Sequence, residues 1–190
     1  PSMDDKTTNN RTPTLNGTAE AGSLVSVTLS NSTYNSSDTT TALSDNTWTL
    51  DWSDTLSPGL YTVTIIATDE YGNPSEEGSA VLTIDITPPN DPTFDKDPII
   101  TNNETPQITG TADPGSTVKV VVDAKTYEDK ADGNGNWTIT TSALSEQQSR
   151  EITATAEDDL GNRSGTVTSI LNVDLTPPDP PVFAKASWIT

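Results

Sequence analysis

The chain has 190 residues, with 9 Lys+Arg against 28 Asp+Glu and a formal net charge of -19. That balance disfavours nucleic acid and anionic membrane as partners and favours metal cations and basic surfaces. There is no Cys and no His, which removes disulfides, thiolate or imidazole metal ligation and the commonest catalytic base.

Hydrophobic residues make up 31% of the chain, but they gather in short alternating runs rich in Val, Ile and Thr. Such runs predict half-buried strands around a thin core. In chain order, Val25, Val27 and Leu29 alternate with polar neighbours; Trp48 and Leu50 follow, then Tyr61, Val63, Ile65 and Ala67, then Leu82, Ile84 and Ile86. The series returns as Val118, Val120 and Val122, then Trp137 and Ile139, then Arg150, Ile152, Ala154 and Ala156, then Leu171, Val173 and Leu175. Period two means strand. Between these runs Asp45-Asn46, Asp123-Ala124-Lys125 and Asp132-Gly133-Asn134-Gly135-Asn136 are turn signals, since Asn, Asp and Gly accept the positive dihedrals of tight turns. No stretch approaches the roughly 18 apolar residues of a membrane span, so membrane insertion is not expected. A basic start followed by an apolar segment, the mark of a signal peptide, is not seen either.

The two series are an internal repeat. Thr12, Pro13, Leu15, Gly17, Thr18, Ala19, Glu20, Gly22 and Ser23 recur 93 positions later as Thr105, Pro106, Ile108, Gly110, Thr111, Ala112, Asp113, Gly115 and Ser116. Beyond that the offset is 89: Trp48 meets Trp137, Asp69 to Asn73 meets Asp158 to Asn162, and Asp85 to Pro89 meets Asp174 to Pro178. A net four-residue deletion therefore falls opposite the polar stretch Asn31 to Asn46. The expected organisation is a repeat over 1–86, a Pro-rich linker over 87–92, a second repeat over 93–175, a second linker over 176–181, and the start of a third repeat over 182–190, where Phe183 aligns with Phe94. About seven strands per copy of roughly 90 residues is the Ig-like pattern. The fold class is all-β: two tandem Ig-like β-sandwiches of about seven antiparallel strands each, with Trp48 and Trp137 in equivalent core positions.

The first linker places three prolines in six positions and the second four, which makes each a short semi-rigid spacer. The runs around Thr12 to Gly22, Trp48, Ala67 to Asn73 and Asp85 to Pro89, with their second copies, resemble the bacterial Ig-like repeats of giant non-fimbrial adhesins exported by type I secretion, a giant Salmonella adhesin being one candidate among several. The resemblance covers nearly the whole chain. It implies an extracellular stalk of many stacked domains, stiffened by calcium at or near the joints. One departure is Glu20-Ala21 where the second copy has Asp113-Pro114.

Strand direction gives the acidic residues a place. If successive strands alternate, the loops at Asp113, Asp132 and Asp158 return to the linker-facing pole of the second copy, and Asp85 closes the previous repeat at the same junction. Asp85, Asn90, Asp91, Asp113 and Asp158 are then candidate ligands, with Glu20, Asp69 and Asp174 as their counterparts. Two carboxylates about 4 Å apart repel by roughly 1 kcal/mol in water and about 4 kcal/mol at an effective dielectric of 20. A hard cation that takes oxygens from flexible loops would relieve this, and calcium is the expected cofactor. The competing reading is that each Asp forms a turn or is a solvated charge. Asp132 to Asn136 starts like an EF-hand, but Trp137 and Ala143 stand where Gly and Glu are required, so a hairpin turn is expected.

Three functions are open at this stage. A spacer in an adhesin stalk has neighbouring repeats of the same chain as its direct partners, leaves a host or surface receptor to a distal region, and is a monomer. A glycan- or host-protein-binding module would use an exposed aromatic, for which Trp52, unmatched in the second copy, is the candidate. An enzyme with two carboxylates would need a deep cleft that thin sandwiches do not offer, so none is expected. The Asn-x-Ser/Thr triplets at Asn16 and Asn136 lie on predicted strands, where glycosylation is awkward.

Overall fold

The computed structural model describes residues 1–182; the expected start of a third repeat at Phe183 lies outside the described residues, as does Trp188. The chain divides into two compact units, Pro1–Pro88 with Leu160–Asn162, and Pro89–Asp159 with the residues from Arg163 onward.

Unit 1 has seven strands: β1 (Lys6–Thr8), β2 (Thr14–Thr18), β3 (Leu24–Ser30), β4 (Asn35–Thr41), β5 (Thr47–Asp51), β6 (Gly59–Thr68) and β7 (Gly78–Ile84). They form a five-stranded sheet in the order β1-β7-β6-β3-β4, facing the β2-β5 pair. Unit 2 repeats this with β8 (Thr93–Phe94), β9 (Ile99–Thr101), β10 (Gln107–Thr111), β11 (Thr117–Val122), β12 (Lys125–Lys130), β13 (Asn136–Thr140), β14 (Gln147–Glu157) and β15 (Val167–Val173). Its sheets are β12-β11-β14-β15-β9 and β13-β10-β8. The alternating runs bury every second residue: Val25, Val27 and Leu29 of β3 and Val118, Val120 and Val122 of β11 are buried while their neighbours are not.

Among the described residues all strand pairings are antiparallel as expected except two. Lys6–Thr8 pairs parallel with β7 at Leu82–Ile84, and Ile99–Thr101 pairs parallel with β15 at Leu171–Val173. These three-residue edges are too short to show a period, so nothing in the alternation announced them.

Trp48 and Trp137 occupy equivalent buried positions, 0% and 1% exposed. Each is paired with a glycine of the neighbouring strand, Gly17 for Trp48 and Gly110 for Trp137. A Cβ on Gly17 would stand 1.9 Å from Ser2 O and 2.7 Å from Trp48 Cζ2, and one on Gly110 would stand 1.8 Å from Thr93 O and 2.5 Å from Trp137 Cζ2. The glycine of the recurring Gly-Thr-Ala run is thus required by close approach of an indole and a neighbouring backbone.

The four-residue deletion has a geometric explanation. β3 and β4 pair over seven rungs, from Leu24↔Thr41 to Ser30↔Asn35, and close through Asn31–Tyr34. β11 and β12 pair over six, from Thr117↔Lys130 to Val122↔Lys125, and close through Asp123 and Ala124 with φ of 50° and 62°. A hairpin that keeps its flanking register can shorten by a whole rung, and losing one rung and two loop residues accounts for all four.

The other end of the alignment hides a compensated change. Asp51 to Leu56 is one residue longer than Thr140 to Leu144, whereas β14 carries an extra residue between Gln147 and Arg150, where its register with β15 shifts. Ser149 has φ of 57°, and its N–H donates to Asn172 Oδ1 at 2.6 Å. This is a β-bulge.

Candidate metal-binding loops

The registers sort the candidate residues to the two ends of each sandwich. In unit 1, Leu24 pairs with Thr68, so Glu20 and Asp69 lie at one end; Gly59 pairs with Ile84, so Asp85 lies at the other. In unit 2, Thr117 pairs with Glu157, which puts Asp113 and Asp158 at one end, and Gln147 pairs with Val173, which puts Asp174 at the opposite one. The ends holding Glu20 and Asp113 are called entry ends here and those holding Asp85 and Asp174 exit ends.

At the entry end of unit 1, Glu20 and Asp69 line one recess with Ala21–Ser23, Glu70 and Tyr71. The Glu20 carbonyl accepts the Ser23 N–H and hydroxyl at 3.1 and 2.7 Å, which folds the loop. Asp69 Oδ1 accepts the N–H groups of Tyr71 and Asn73 at 2.9 and 2.8 Å, and Oδ2 accepts Asn73 Nδ2 at 2.8 Å. The Asn73 side-chain amide, then its backbone N–H, hold the Asp69 carboxyl below the usual aspartate range.

At the entry end of unit 2 the linker takes part. Asn90 donates its N–H to Asp113 Oδ2 at 2.9 Å and its Nδ2 to Oδ1 at 3.0 Å. These donors, the backbone N–H first, lower the Asp113 pKa. The Asp91 carboxylate lies beside Gly165, whose added Cβ would meet its oxygens at 2.8 and 3.0 Å. Asp158 follows β14 at the position equivalent to Asp69. Asp132 Oδ1 accepts the N–H groups of Asn134 and Asn136 at 2.8 and 2.9 Å, and Gly135 has φ of 84°. It is the turn into β13, as expected.

At the exit ends, Asp85 and Asp174 do the same work. The Asp85 N–H donates to Thr8 O and its Oδ1 accepts the Thr87 N–H at 2.9 Å; the Asp174 N–H donates to Thr101 O and its Oδ1 accepts the Thr176 N–H at 3.1 Å. Each aspartate locks the end of its last strand to the first residue of the linker.

The carboxylates of Asp69, Asp85, Asp113, Asp132 and Asp174 accept from amides within their own units, and among the described residues no group of three or more Asp and Glu side chains is placed to hold a metal ion. Calcium takes six to eight oxygens. As arranged within each unit, the side chains do not form a ready calcium cage: Asp69 and Asp113 already accept amide donors that a cation would have to displace.

The aromatic candidate is overturned. Trp52 is buried at 3% exposure, and its Nε1 donates to Tyr34 Oη at 3.0 Å, so it offers no platform to a sugar. Sequence reading missed its role because the second copy replaces it with Thr141.

Residues 1–86 and 80–175 each match the bacterial Ig-like domain family. No curated protein matches the chain. Among solved structures, the chain is similar to a tetra-tandem repeat in the extending region of a large adhesion protein (21% identity, 92% of this chain, 49% of that one, TM-score 0.40). It is also similar to a 1.5-MDa bacterial ice-binding adhesin (19% identity, 90% and 61%, TM-score 0.42) and to a Ca2+-stabilised, ice-binding adhesin of an Antarctic bacterium (22% identity, 91% and 46%, TM-score 0.46). The chain thus spans about half to three fifths of the length of these structures. With the family matched over both repeats and the sandwich built twice, the chain belongs to the bacterial Ig-like domain family.

Proposed function

We propose that the two repeats are structural spacers in the stalk of a bacterial surface adhesin, outside the cell, supporting adhesion by a distal region. The observation that carries this reading is the treatment of the linker. Its first residue is held by Asp85 through the Thr87 N–H, and its fourth by Asp113 through Asn90. Thr87 is thus tied within unit 1 and Asn90 within unit 2, and the two residues between them are Pro88 and Pro89, whose φ angles are fixed by their rings. A spacer needs such short joints; a ligand-binding module does not. Small-angle scattering tests it: the parent should give an extended, narrow distance distribution, and Asn90→Ala with Asp113→Ala should broaden it. An unchanged distribution in the double variant, or a compact parent, would remove the argument from the linker.

Calcium belongs to the same proposal through the sequence resemblance and the carboxylates at the entry ends. Glu20 and Asp69 in unit 1, and Asp113 and Asp158 in unit 2, are the side chains to which it would go, in exchange for the Asn73 and Asn90 donors. At ten times its dissociation constant, one site would add about 1.4 kcal/mol if the unfolded chain binds none. Identical melting curves in calcium and in chelator would leave the spacer as a metal-free one.

A further inference from the structure

The sequence holds seven Asn-x-Ser/Thr triplets, starting at Asn10, Asn16, Asn31, Asn35, Asn103, Asn136 and Asn162, and the fold presents them unequally. Asn16, Asn35 and Asn136 lie on β2, β4 and β13, where the backbone is extended and paired. Asn162 is 9% exposed and its Nδ2 donates to the Asp85 carbonyl. Asn10 and Asn103 sit in equivalent loops whose triplets end at Thr12 and Thr105, each followed by a buried proline; Asn10 Nδ2 is already engaged with Thr12 O.

Asn10 and Asn103 accept from their Thr in the same way as Asn31, but Asn31 takes a third donor and its triplet runs into Tyr34 instead of a buried proline. Asn31, Ser32 and Thr33 are all exposed, at the tip of the β3–β4 hairpin. Its Oδ1 accepts the Thr33 N–H at 2.9 Å, the Tyr34 N–H at 2.9 Å and the Thr33 hydroxyl at 3.2 Å. Nδ2 has no partner among the described residues and is left for solvent. The carbonyl end of the amide is held and the nitrogen end is offered.

We propose that Asn31 is an acceptor for N-linked sugar, with a nucleotide-activated hexose as donor and a soluble asparagine glycosyltransferase as the agent. In the transfer, Nδ2 forms a bond to C1 of the hexose while the bond from C1 to the diphosphate oxygen breaks, its electron pair leaving with the nucleoside diphosphate. The Nδ2 proton passes to a base of the transferase. An amide nitrogen is a poor nucleophile because its lone pair is delocalised toward oxygen. The three donors already aimed at Oδ1 stabilise the negative charge that grows there as the proton leaves. The shorter hairpin of unit 2 has no equivalent tip. A sugar at Asn31 would cover the end of β4, a polar edge strand, against edge-to-edge pairing with other chains.

The test uses the whole chain, folded and urea-unfolded, with a soluble bacterial asparagine glycosyltransferase and UDP-glucose, read by intact mass and peptide mapping. The folded chain should gain one hexose, at Asn31, and the unfolded chain should gain hexose at additional triplets. Asn31→Gln and Thr33→Ala should each reduce folded-state transfer at least tenfold with an unchanged circular dichroism spectrum. Equal transfer to Asn16 or Asn136 in the folded chain, or no transfer to Asn31 in either state, would overturn the proposal.

Discussion

At the exit end of unit 1 the sandwich is closed by aromatic rings. Trp52 donates to Tyr34, Tyr34 donates to Asp54 Oδ2 at 2.8 Å and packs edge-on against Tyr61 with centroids 5.7 Å apart, and Tyr61 Oη donates to Ser57 O at 2.8 Å. The last bond is a tyrosine corner, a phenol reaching back to the backbone just upstream of its strand. At the same end of unit 2, Thr141 stands at the Trp52 position and Arg150 at the Tyr61 position. Arg150 is 2% exposed; its Nη2 donates to Ser145 O at 3.0 Å, and its Nη1 pairs with Asp123 in the β11–β12 turn. One backbone carbonyl upstream of the strand is satisfied in both units, by a phenol in one and a guanidinium in the other. The geometry of the corner is kept while its chemistry changes, so what the fold requires there is a donor of the right length.

Where the units agree, damage should be equal. Trp48→Ala and Trp137→Ala are each expected to cost about 3–5 kcal/mol, read as lost hydrogen-exchange protection in the strands of the affected unit. A loss twofold smaller in one unit would mean the two indoles are not equivalent core anchors. Gly17→Ala and Gly110→Ala should follow at about 1–3 kcal/mol each, because the new methyl collides with backbone that cannot swing away. Wild-type stability in either variant would show that Ser2 or Thr93 can move aside without loss.

Where the units differ, so should the response. Asp123→Ala leaves the buried Arg150 guanidinium without its counter-charge, with Nε already unpartnered. The expected cost is about 1–3 kcal/mol, moderated because the Asp123 side chain is 54% exposed. Arg150→Met removes the buried charge and keeps volume but takes the donor from Ser145 O, so it should cost about 1 kcal/mol, less than Asp123→Ala because the carboxylate it leaves behind is solvent-exposed. Tyr61→Phe removes one neutral hydrogen bond and should cost about 1 kcal/mol in unit 1 alone. If Arg150→Met proves worse than Asp123→Ala in chemical denaturation followed by exchange, the guanidinium holds the corner mainly through Ser145 and not through its counter-ion.

These contrasts also mark how far the sequence could be read. The strands of unit 2 were legible because Val118, Val120 and Val122 alternate without interruption, and the Trp48–Trp137 match placed the core. The offset of 89 on both sides of the 140s concealed a shortened loop and a bulge at Ser149, because two opposite changes leave no trace in a repeat alignment. The repeat sets Arg150 opposite Tyr61, but only its partners, 27 and 5 residues away, show that the guanidinium does the work of the phenol. The loop aspartates were found, but their hydrogen bonds were not, since sequence gives the residue type at a turn and not whether an oxygen faces an amide or an open approach.

The smallest expected effect concerns those aspartates and distinguishes the two entry ends. Asp69 in unit 1 and Asp113 and Asp132 in unit 2 all have carboxyl groups held below the usual aspartate range by amide donors: the Asn73 side chain for the first, the Asn90 N–H for the second and the Asn136 N–H for the third. Each is ionised more readily in the folded chain than in the unfolded one. Its contribution to stability is therefore complete above the pKa of an unfolded aspartate and fades as pH falls through the lowered folded value. Acid should loosen both entry ends, but by different routes. In unit 1 protonation weakens a loop that closes on itself; in unit 2 protonation of Asp113 also weakens its hold on Asn90 of the linker. Asp69→Asn should flatten the acid limb of stability for unit 1 and leave scattering unchanged, whereas Asp113→Asn should flatten it for unit 2 and broaden the distance distribution at neutral pH. Carboxyl NMR titration gives the direct check: folded pKa values at or above those of an unfolded peptide for Asp69 and Asp113 would mean that the amide donors do not hold these loops in solution. The carboxylates would then be free to take a cation without first giving up a hydrogen bond.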